Sequence, residues 1–350
     1  MSGATATVPL PYTREELEAT LGADAPAFLE RAYRWMLLGR TLDQRMLALQ
    51  RQGRVGFYGP ATGQEAVGVA AALASLPDDW VVPGLREQLV ALVRGHPLAR
   101  YMDHLFANRD DPAQGRQMPC HPTAREVNYV SMSSVIGTQI AHGVGVALGM
   151  QRRRANAAAL VFFGDGATSA NDFHAGLNVA GVFGLPAVFA LTNNQWAISQ
   201  PVAKQSRVAR LVDKAAAYGI PGERVDGTDL VASYLAFRRA LDQARTGGGP
   251  SLIELVTYRQ TPHSSSDDPT RYQAPGWVIE AATHDPLLRL EALFDRLDLL
   301  PARARAAARE AADASVRSAI AAAEPTSPPG PGTVTKDVFA ASEAPAQGAA

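Results

Sequence analysis

The sequence predicts a doubly wound α/β fold with a mostly parallel central sheet and helical extensions at both ends. Short apolar runs alternate with segments of helical periodicity along the middle of the chain. The runs are apolar throughout rather than at every second residue, which is typical of parallel strands covered by helices on both faces. Gly, Pro or Asp bounds each run, so each is expected to end at a turn or loop.

Two helices are expected near the N-terminus. Thr13 and Glu16 form the Thr-x-x-Glu pattern of a capping box, which places a helix over the sequence REELEATL. A longer helix is expected over about residues 26–52, where apolar side chains recur at helical spacing, with Gly53 at its C-terminal end. Residues 1–12, which precede both helices, are expected to form a loose arm.

Strands and helices are expected to alternate in the middle of the chain. A polar loop at 262–276 follows the last strand and is too rich in Ser and Asp for a simple connector, which is typical of a functional loop. Residues 283–324 are expected to be helical again. The predicted strands are 79–82, 157–163, 186–192 and 250–257, and the predicted helices between them cover 136–151, 171–183 and 229–244.

The predicted organisation of the chain has four parts. They are an N-terminal arm with helices (1–53), the α/β domain (54–276), C-terminal helices (277–324) and a Pro/Gly-rich tail (325–350). The sequence EPTSPPGPG breaks the last helix, and the tail is expected to be disordered or to lie across a partner.

The composition excludes several classes of protein. The chain has 33 basic and 34 acidic side chains, a balance that offers no field to attract nucleic acid or an anionic membrane. Cys120 is the single cysteine, so no disulfide can form within the chain and no Cys–His zinc pattern is present. No apolar run approaches the roughly 20 residues that span a bilayer, and a secretory signal is not recognisable. A cytoplasmic protein is expected.

The strongest chemical signal lies at the ends of two predicted strands. One strand ends in the triplet GDG at 164–166 and the next ends in the Asn pair at 193–194, so Asp165 and an Asn oxygen are expected to converge on one point. Mg²⁺ prefers such oxygens together with phosphate, and the helix that starts near Ala170 can direct its N–H groups at an anion. The alternative is two turns without a ligand. The GDG triplet alone would favour that alternative, but the combined pattern favours a metal–diphosphate site.

This arrangement resembles the thiamine-diphosphate motif, which begins with GDG and closes with NN after a helix and a strand. The chain also resembles the alpha subunit of branched-chain-type 2-oxo acid dehydrogenases from about residue 30 to residue 300, with a weaker similarity in TKDVF near the C-terminus. The resemblance implies the thiamine-diphosphate-binding fold. The segments that carry it are GRQMPCH (115–121), SSVIGTQIAHGVGVALG (133–149), FGDGATS (163–169), NNQWAIS (193–199), YGIPGERVDGTD (218–229) and YRQTPHSSSDDPTRY (258–272).

The resemblance implies a set of cofactor contacts. Mg²⁺ is expected to bind the Asp165 carboxylate, the Asn194 side chain and the backbone carbonyl of Trp196. Ile198 is expected to lie against the bent middle of the cofactor. The diphosphate is expected to meet a glycine-rich stretch formed by Gly164, Gly166 and Ala167.

Two further contacts follow from the resemblance. Ser134 and Ile136 match positions that contact the aminopyrimidine half of the cofactor. A loop that binds a monovalent cation is matched by Ser133, Thr138 and Gln139.

Arg86 and His263 are the expected diphosphate and proton-handling groups. A guanidinium can clamp a diphosphate through two hydrogen bonds, although Arg86 alone would be read as a surface residue paired with Glu87. Leu85 stands where the family usually has Tyr. The resemblance places His263 near the diphosphate and the thiazolium ring, where imidazole can supply a proton when lipoamide sulfur is cleaved.

The other polar residues of these segments receive structural interpretations. Arg259 is expected to order the polar loop, and Ser264 to structure it, although some relatives are phosphorylated at that position. His121 matches a family position without an evident role, and His142 and His174 are expected to be packed or solvated. The chain departs from its relatives at Ala170, Asn171 and Thr192, which touch the helix opening and the diphosphate pocket.

The resemblance implies oxidative decarboxylation of a branched-chain 2-oxo acid, with acyl transfer to lipoamide on a lipoyl domain. No segment matches the family glutamate that serves the aminopyrimidine ring, so a beta subunit is expected to supply it within an α2β2 heterotetramer. The substrate pocket is expected to include Phe57, Tyr58 and Leu85.

Three alternatives remain at this point. A pyruvate or acetoin dehydrogenase alpha subunit would share the same motifs. A subunit that has lost its cofactor would serve structure or regulation, which intact Asp165, Asn194 and His263 disfavour. A phosphohydrolase that uses Asp165 with Mg²⁺ is disfavoured because the P-loop lysine is missing.

Overall fold

The structure is a computed structural model that describes residues 7–336. The first elements are the helices α1 (Arg14–Leu21) and α2 (Ala25–Arg51). The predicted capping box is confirmed, because Glu16 N donates to Thr13 Oγ1 at 3.2 Å and Thr13 N donates to Glu16 Oε2 at 2.8 Å. Both backbone N–H groups are therefore satisfied at the start of α1.

The expectation of a loose arm is wrong for residues 7–12, while residues 1–6 lie outside the described part of the chain. Val8 N donates to the backbone carbonyl of Thr283 at 2.8 Å. Leu10 is 3% exposed and belongs to the main apolar cluster. Burial of one apolar side chain and pairing of the backbone therefore fix this segment against the C-terminal helices.

The remaining elements alternate as the sequence predicts. One-turn or short 3₁₀ segments lie at Arg125–Val127, Asp165–Ser169, Leu211–Tyr218, Pro269–Arg271 and Pro331–Thr333. The helices and strands after α2 are, in chain order, α3 (Glu65–Ala74), β1 (Trp80–Val82), α4 (Gln88–Val93), α5 (Leu98–Leu105), α6 (Thr138–Arg153), β2 (Ala159–Gly164), α7 (Asn171–Phe183), β3 (Ala187–Asn193), β4 (Trp196–Ala197), β5 (Gln200–Pro201), α8 (Val202–Gln205), β6 (Gly222–Asp226), α9 (Leu230–Arg245), β7 (Ser251–Val256), α10 (Pro275–Thr283), α11 (Pro286–Leu297) and α12 (Ala302–Ala323).

The central sheet has the strand order β1-β2-β3-β7-β6, and all four strand pairings are parallel. The register places Gly164 of β2 opposite Thr192 of β3. Two neighbouring strands therefore end side by side, and the residues that follow them enter the same space at the carboxyl edge of the sheet. This register is what positions the site described below.

Helices cover both faces of the sheet, which confirms the doubly wound α/β fold. Successive residues of β2 point to opposite faces. Leu160 and Phe162 pack in an apolar cluster that includes residues of α2, α3 and α9, whereas Val161 and Phe163 pack in a second cluster with residues of α6 and α7. Strand β2 is apolar throughout because both of its faces are buried.

The elements that the sequence analysis did not predict include β6 and α3. Strand β6 has the sequence GERVD and lies at the edge of the sheet, where its residues are exposed or half-buried, so it is not an apolar run. Helix α3 is buried on nearly all sides and is apolar all round, so it lacks the one-sided pattern by which a surface helix is recognised.

The C-terminal helices pack back on the N-terminal ones, with α12 against α2 and α5. Helix α12 ends at Ala323, directly before the predicted break. The prediction for the tail falls largely on residues 337–350, which lie outside the described residues, and the four-part division of the chain stays a proposal. Within residues 7–336, no helix combines the length and the apolar character needed to cross a membrane.

Candidate functional site

A cavity of about 420 Å³ opens at the carboxyl ends of β1, β2 and β3. It brings together every residue that the sequence analysis assigns to the diphosphate cofactor and Mg²⁺: Arg86, Ser134, Ile136, Gly164, Asp165, Gly166, Ala167, Asn194, Trp196, Ile198 and His263. Of the residues assigned to the monovalent-cation loop, Ser133 and Gln139 line the cavity and Thr138 does not.

Asp165 starts the short 3₁₀ segment that follows β2, and its side chain is buried at 2% exposure. Burial disfavours the carboxylate and raises the pKa of Asp165 to about 6. Gln205 Nε2 donates to Asp165 Oδ2 at 3.0 Å. A buried carboxylate with a neutral hydrogen-bond partner is suited to accept a cation, since a positive charge would offset its desolvation.

Asn194 is held so that its side-chain oxygen faces the turn after β3. Its Oδ1 accepts from Trp196 N at 3.2 Å, and its Nδ2 donates to Gln64 Oε1 at 3.2 Å. The backbone carbonyl of Trp196 accepts a long contact of 3.4 Å from Arg259 Nη1. Both oxygens keep a second lone pair with which a metal ion can be ligated.

The cavity wall carries buried polar atoms that have no partner within the described residues. They are Gln64 Nε2, Gln139 Oε1 and Thr192 Oγ1. Gly166 is a place of close approach, because a Cβ there would lie 2.8 Å from the Cβ of Ala197. Unpaired buried polar groups cost free energy, so a polar ligand that pairs with them would stabilise the protein.

Arg86 and His263 contact each other directly. Arg86 Nη2 donates to the His263 carbonyl at 2.9 Å and lies 3.1 Å from His263 Nδ1, and Arg86 Nη1 donates to the Pro60 carbonyl. The interpretation of Arg86 as a surface residue paired with Glu87 is wrong, because its guanidinium turns inward and only its backbone N donates to Glu87 Oε2, at 3.1 Å.

His263 is a neutral imidazole at pH 7. Burial lowers its pKa to about 4, and the positive charges of Arg86 and Arg259 act in the same direction. Because Arg86 can only donate, Nδ1 of His263 accepts and its proton is at Nε2. His263 N donates to Asp267 Oδ2 at 2.8 Å, which fixes the start of the polar loop.

Arg259 anchors the polar loop through side-chain hydrogen bonds. It is 1% exposed, and its Nη2 donates to the Ile198 carbonyl at 2.8 Å and to the Tyr272 hydroxyl at 2.8 Å. Ser264 is buried, and its Oγ accepts from Ser266 N at 3.4 Å. These contacts support the structural interpretation of both residues.

Several predicted residues lie elsewhere. Tyr58 does not line the cavity but is buried and donates to Asp43 Oδ1 at 2.8 Å, whereas Phe57 and Leu85 do line it. His142 and His174 are exposed and lie outside the cavity, as expected.

Gln64, Gln205 and Met132 line the cavity and were not singled out from the sequence. Gln64 directly precedes α3, and because the sequence analysis did not predict α3, no signal indicated the place of Gln64. Gln205 reaches Asp165 only because β4 and β5 form a hairpin that folds the chain back, and no local sequence pattern reports that approach.

The fold and this cavity define an α/β protein whose candidate ligand site lies at the carboxyl edge of a parallel sheet. The family described as "Dehydrogenase E1 component" matches residues 33–331. The chain belongs to this family, and membership implies dependence on thiamine diphosphate.

Three relatives show the range of similarity. The chain is 44% identical over 257 residues to the 3-methyl-2-oxobutanoate dehydrogenase subunit alpha of Mycobacterium tuberculosis, covering 73% of this chain and 68% of that protein. It is 40% identical over 297 residues to the pyruvate dehydrogenase E1 component subunit alpha of Bacillus subtilis, covering 85% and 78%. It is 44% identical over 244 residues to the mitochondrial 2-oxoisovalerate dehydrogenase subunit alpha 1 of Arabidopsis thaliana, covering 70% of this chain. The match spans about half, 52%, of the length of that plant protein.

Proposed function

We propose that this chain is the alpha subunit of the decarboxylating component of a 2-oxo acid dehydrogenase complex. With a beta subunit it carries out the oxidative decarboxylation of a branched-chain 2-oxo acid and the transfer of the acyl group to lipoamide. The observation that carries the proposal is the convergence of the predicted cofactor-binding and metal-binding residues in one cavity.

The residues present fit thiamine diphosphate and Mg²⁺. Asp165, Asn194 and the Trp196 carbonyl would hold the metal ion, since one carboxylate and two neutral oxygens with phosphate oxygens suit Mg²⁺. When bound, thiamine diphosphate supplies the electron sink for decarboxylation. The unpaired Gln139 Oε1 supports a monovalent cation in the loop that also holds Ser133.

Arg86 and His263 orient the anionic end of the site. Arg86 has further N–H groups beyond those bonded to Pro60 and His263, so it can also donate to a diphosphate. His263 holds its proton at Nε2, from which it can donate to a phosphate oxygen or to a leaving sulfur.

The aminopyrimidine ring needs a carboxylic acid beside it, and within residues 7–336 the cavity lining offers only Asp165 and Glu87. Glu87 lines the cavity, but its Oε2 accepts from Arg86 N, and burial raises the pKa of Glu87 to about 7. We assign Glu87 to holding the turn that carries Arg86. A beta subunit in an α2β2 heterotetramer then supplies the acid, and a lipoyl domain of an acyltransferase core is the further partner.

The branched-chain assignment rests on the apolar wall of Phe57, Leu85 and Met132 and on relatives whose names state branched-chain 2-oxo acids. Pyruvate is the second candidate, because a pyruvate dehydrogenase subunit is 40% identical over 85% of this chain. The cytoplasmic location stays a prediction.

Co-expression with a beta-type subunit and assay against a panel of 2-oxo acids tests the proposal. The pair should decarboxylate 3-methyl-2-oxobutanoate with a higher kcat/KM than pyruvate, and this chain alone should be inactive. Robust activity of the chain alone would refute the divided site. Failure of the pair to bind thiamine diphosphate with Mg²⁺ would instead favour a subunit that has lost its cofactor.

A further inference from the structure

His121 lies directly behind the cavity wall, and the function proposed above does not use it. Its side chain is buried at 3% exposure, and its Nε2 is hydrogen-bonded to the Oγ of Ser134, which lines the cavity. On the other side of the ring, Nδ1 lies 3.0 Å from the backbone carbonyl of Pro119. Each ring nitrogen therefore has one identified partner.

These partners fix the direction of both hydrogen bonds. A carbonyl oxygen can only accept, so Nδ1 of His121 carries the hydrogen. With the ring hydrogen at Nδ1, Nε2 offers its lone pair and accepts. Ser134 is consequently the donor, and its single hydroxyl hydrogen points away from the cavity toward His121.

The ring is held rigidly enough for this direction to persist. His121 N donates to His104 Nε2 at 3.0 Å, and His104 Nδ1 lies 3.2 Å from Asp111 Oδ1. Asp111 also accepts from Gly115 N at 2.8 Å. His104 and Asp111 are both 2% exposed, so a buried network ties the loop that carries His121 to helix α5.

We propose that His121 is a positioning residue that makes Ser134 a hydrogen-bond acceptor, and not a donor, toward the cavity. The ligand group that meets Ser134 must then carry an N–H, as an aromatic amine does. This inference rests on the proposed cofactor. It concerns which polar group of the pyrimidine ring binds more tightly next to Ser134. A carbonyl oxygen in the place of the amine would face only lone pairs and would be disfavoured.

The test compares binding of thiamine diphosphate with binding of oxythiamine diphosphate, in which a carbonyl replaces the amino group. Dissociation constants for the pair of subunits with Mg²⁺ are measured by calorimetry for the parent, His121→Phe, Ser134→Ala and the double variant. If the difference is one hydrogen bond of ordinary strength, the parent protein should bind thiamine diphosphate about tenfold more tightly than oxythiamine diphosphate. In His121→Phe the Ser134 hydroxyl is free to rotate and donate, so the preference should fall to near unity.

The double variant separates this role from packing. Once Ser134 is replaced by Ala, the His121→Phe change should have no further effect on the preference. His121→Gln, whose side-chain oxygen can accept from Ser134, should restore much of the preference and guards against a folding defect in His121→Phe.

The remaining outcomes overturn the inference. An unchanged preference for the amine in His121→Phe would show that His121 only packs. The same conclusion would follow if the His121→Phe change weakened the binding of both compounds equally, whether Ser134 or Ala is present. A parent protein that binds both compounds equally would end this inference while leaving the proposed function standing. Binding of neither compound would overturn the cofactor proposal and this inference with it.

Discussion

The two walls of the cavity are built by different means. On the strand wall, Asp165 and Asn194 follow β2 and β3, and the parallel register of the sheet brings them together. On the loop wall, Arg86 and His263 follow β1 and β7 at a distance along the chain, and hydrogen bonds between half-buried polar groups bring them together. Backbone register fixes the first wall, whereas electrostatics and loop anchoring fix the second.

This difference predicts which changes act where. A substitution on the strand wall should alter ligand binding without disturbing the fold, because the sheet stays intact. A substitution on the loop wall should alter the structure of the loop as well, because its side chains are also its supports. Four experiments test the contrast, in order of decreasing expected effect.

Replacement of Asp165 by Ala should have the largest effect on binding. Loss of the carboxylate removes the one charged ligand on the strand wall, and the Mg²⁺-dependent affinity for thiamine diphosphate should fall by at least about 100-fold. Calorimetry on the pair of subunits measures this, with the exposed Asp213→Asn as the matched control. Affinity close to that of the parent would remove Asp165 from the site.

Replacement of Arg259 by Met should loosen the loop wall. The change removes the donor of two part-buried hydrogen bonds, to the Ile198 carbonyl and to the Tyr272 hydroxyl, each of which contributes about 1 kcal/mol. Hydrogen exchange should increase over residues 262–272 while the sheet stays protected. Arg271→Met, an exposed change in the same loop, is the control. Equal behaviour of the two variants would contradict the anchoring role of Arg259.

Replacement of Gln205 by Leu should have an intermediate effect on the strand wall. Gln205 donates to Asp165 at 3.0 Å, and groups that orient a metal ligand typically contribute about tenfold to metal affinity. Titration of Mn²⁺ into the pair of subunits in the presence of thiamine diphosphate measures the change. An unchanged affinity would show that Asp165 is oriented by the backbone alone.

The smallest expected effect is a pH dependence from His263. Its pKa of about 4 in the folded protein is below the usual value of 6.5, so the unfolded chain binds the proton more tightly. This group therefore reduces stability as the pH falls from about 6.5 to 4 and contributes nothing above that window. Urea unfolding at several pH values should show a shallower loss of stability in His263→Asn than in the parent. If the free energy of unfolding depends on pH in the same way in both proteins, folding does not lower the pKa of His263.

The strand wall is also the part of the site that could be predicted from the residues. Apolar runs marked the strands, and parallel pairing then required the GDG and NN ends to meet. The contact between Arg86 and His263 joins residues 177 positions apart, and only the resemblance to relatives indicated that both belong to the site. Contacts of this kind between distant polar residues do not produce a periodic pattern in the sequence.

The missing prediction of Gln205 and the wrong prediction for residues 7–12 have similar physical causes. Gln205 arrives through a hairpin that has positive φ at Gln195, directly before β4, and at Ile198, in the turn. Neither residue type predicts this conformation from the sequence. Residues 7–12 have no helical or alternating apolar pattern, yet burial of Leu10 and backbone pairing with a distant helix end order them. Tertiary partners, which a single sequence does not show, decide both cases.

A crystal structure of the two subunits with thiamine diphosphate and Mn²⁺ in place of Mg²⁺ tests the central claim most directly. We predict an anomalous peak about 2.0–2.3 Å from both an Asp165 carboxylate oxygen and Asn194 Oδ1, with diphosphate oxygens on the same ion. A peak held by other residues, or one beyond about 4 Å from either side chain, would contradict the account.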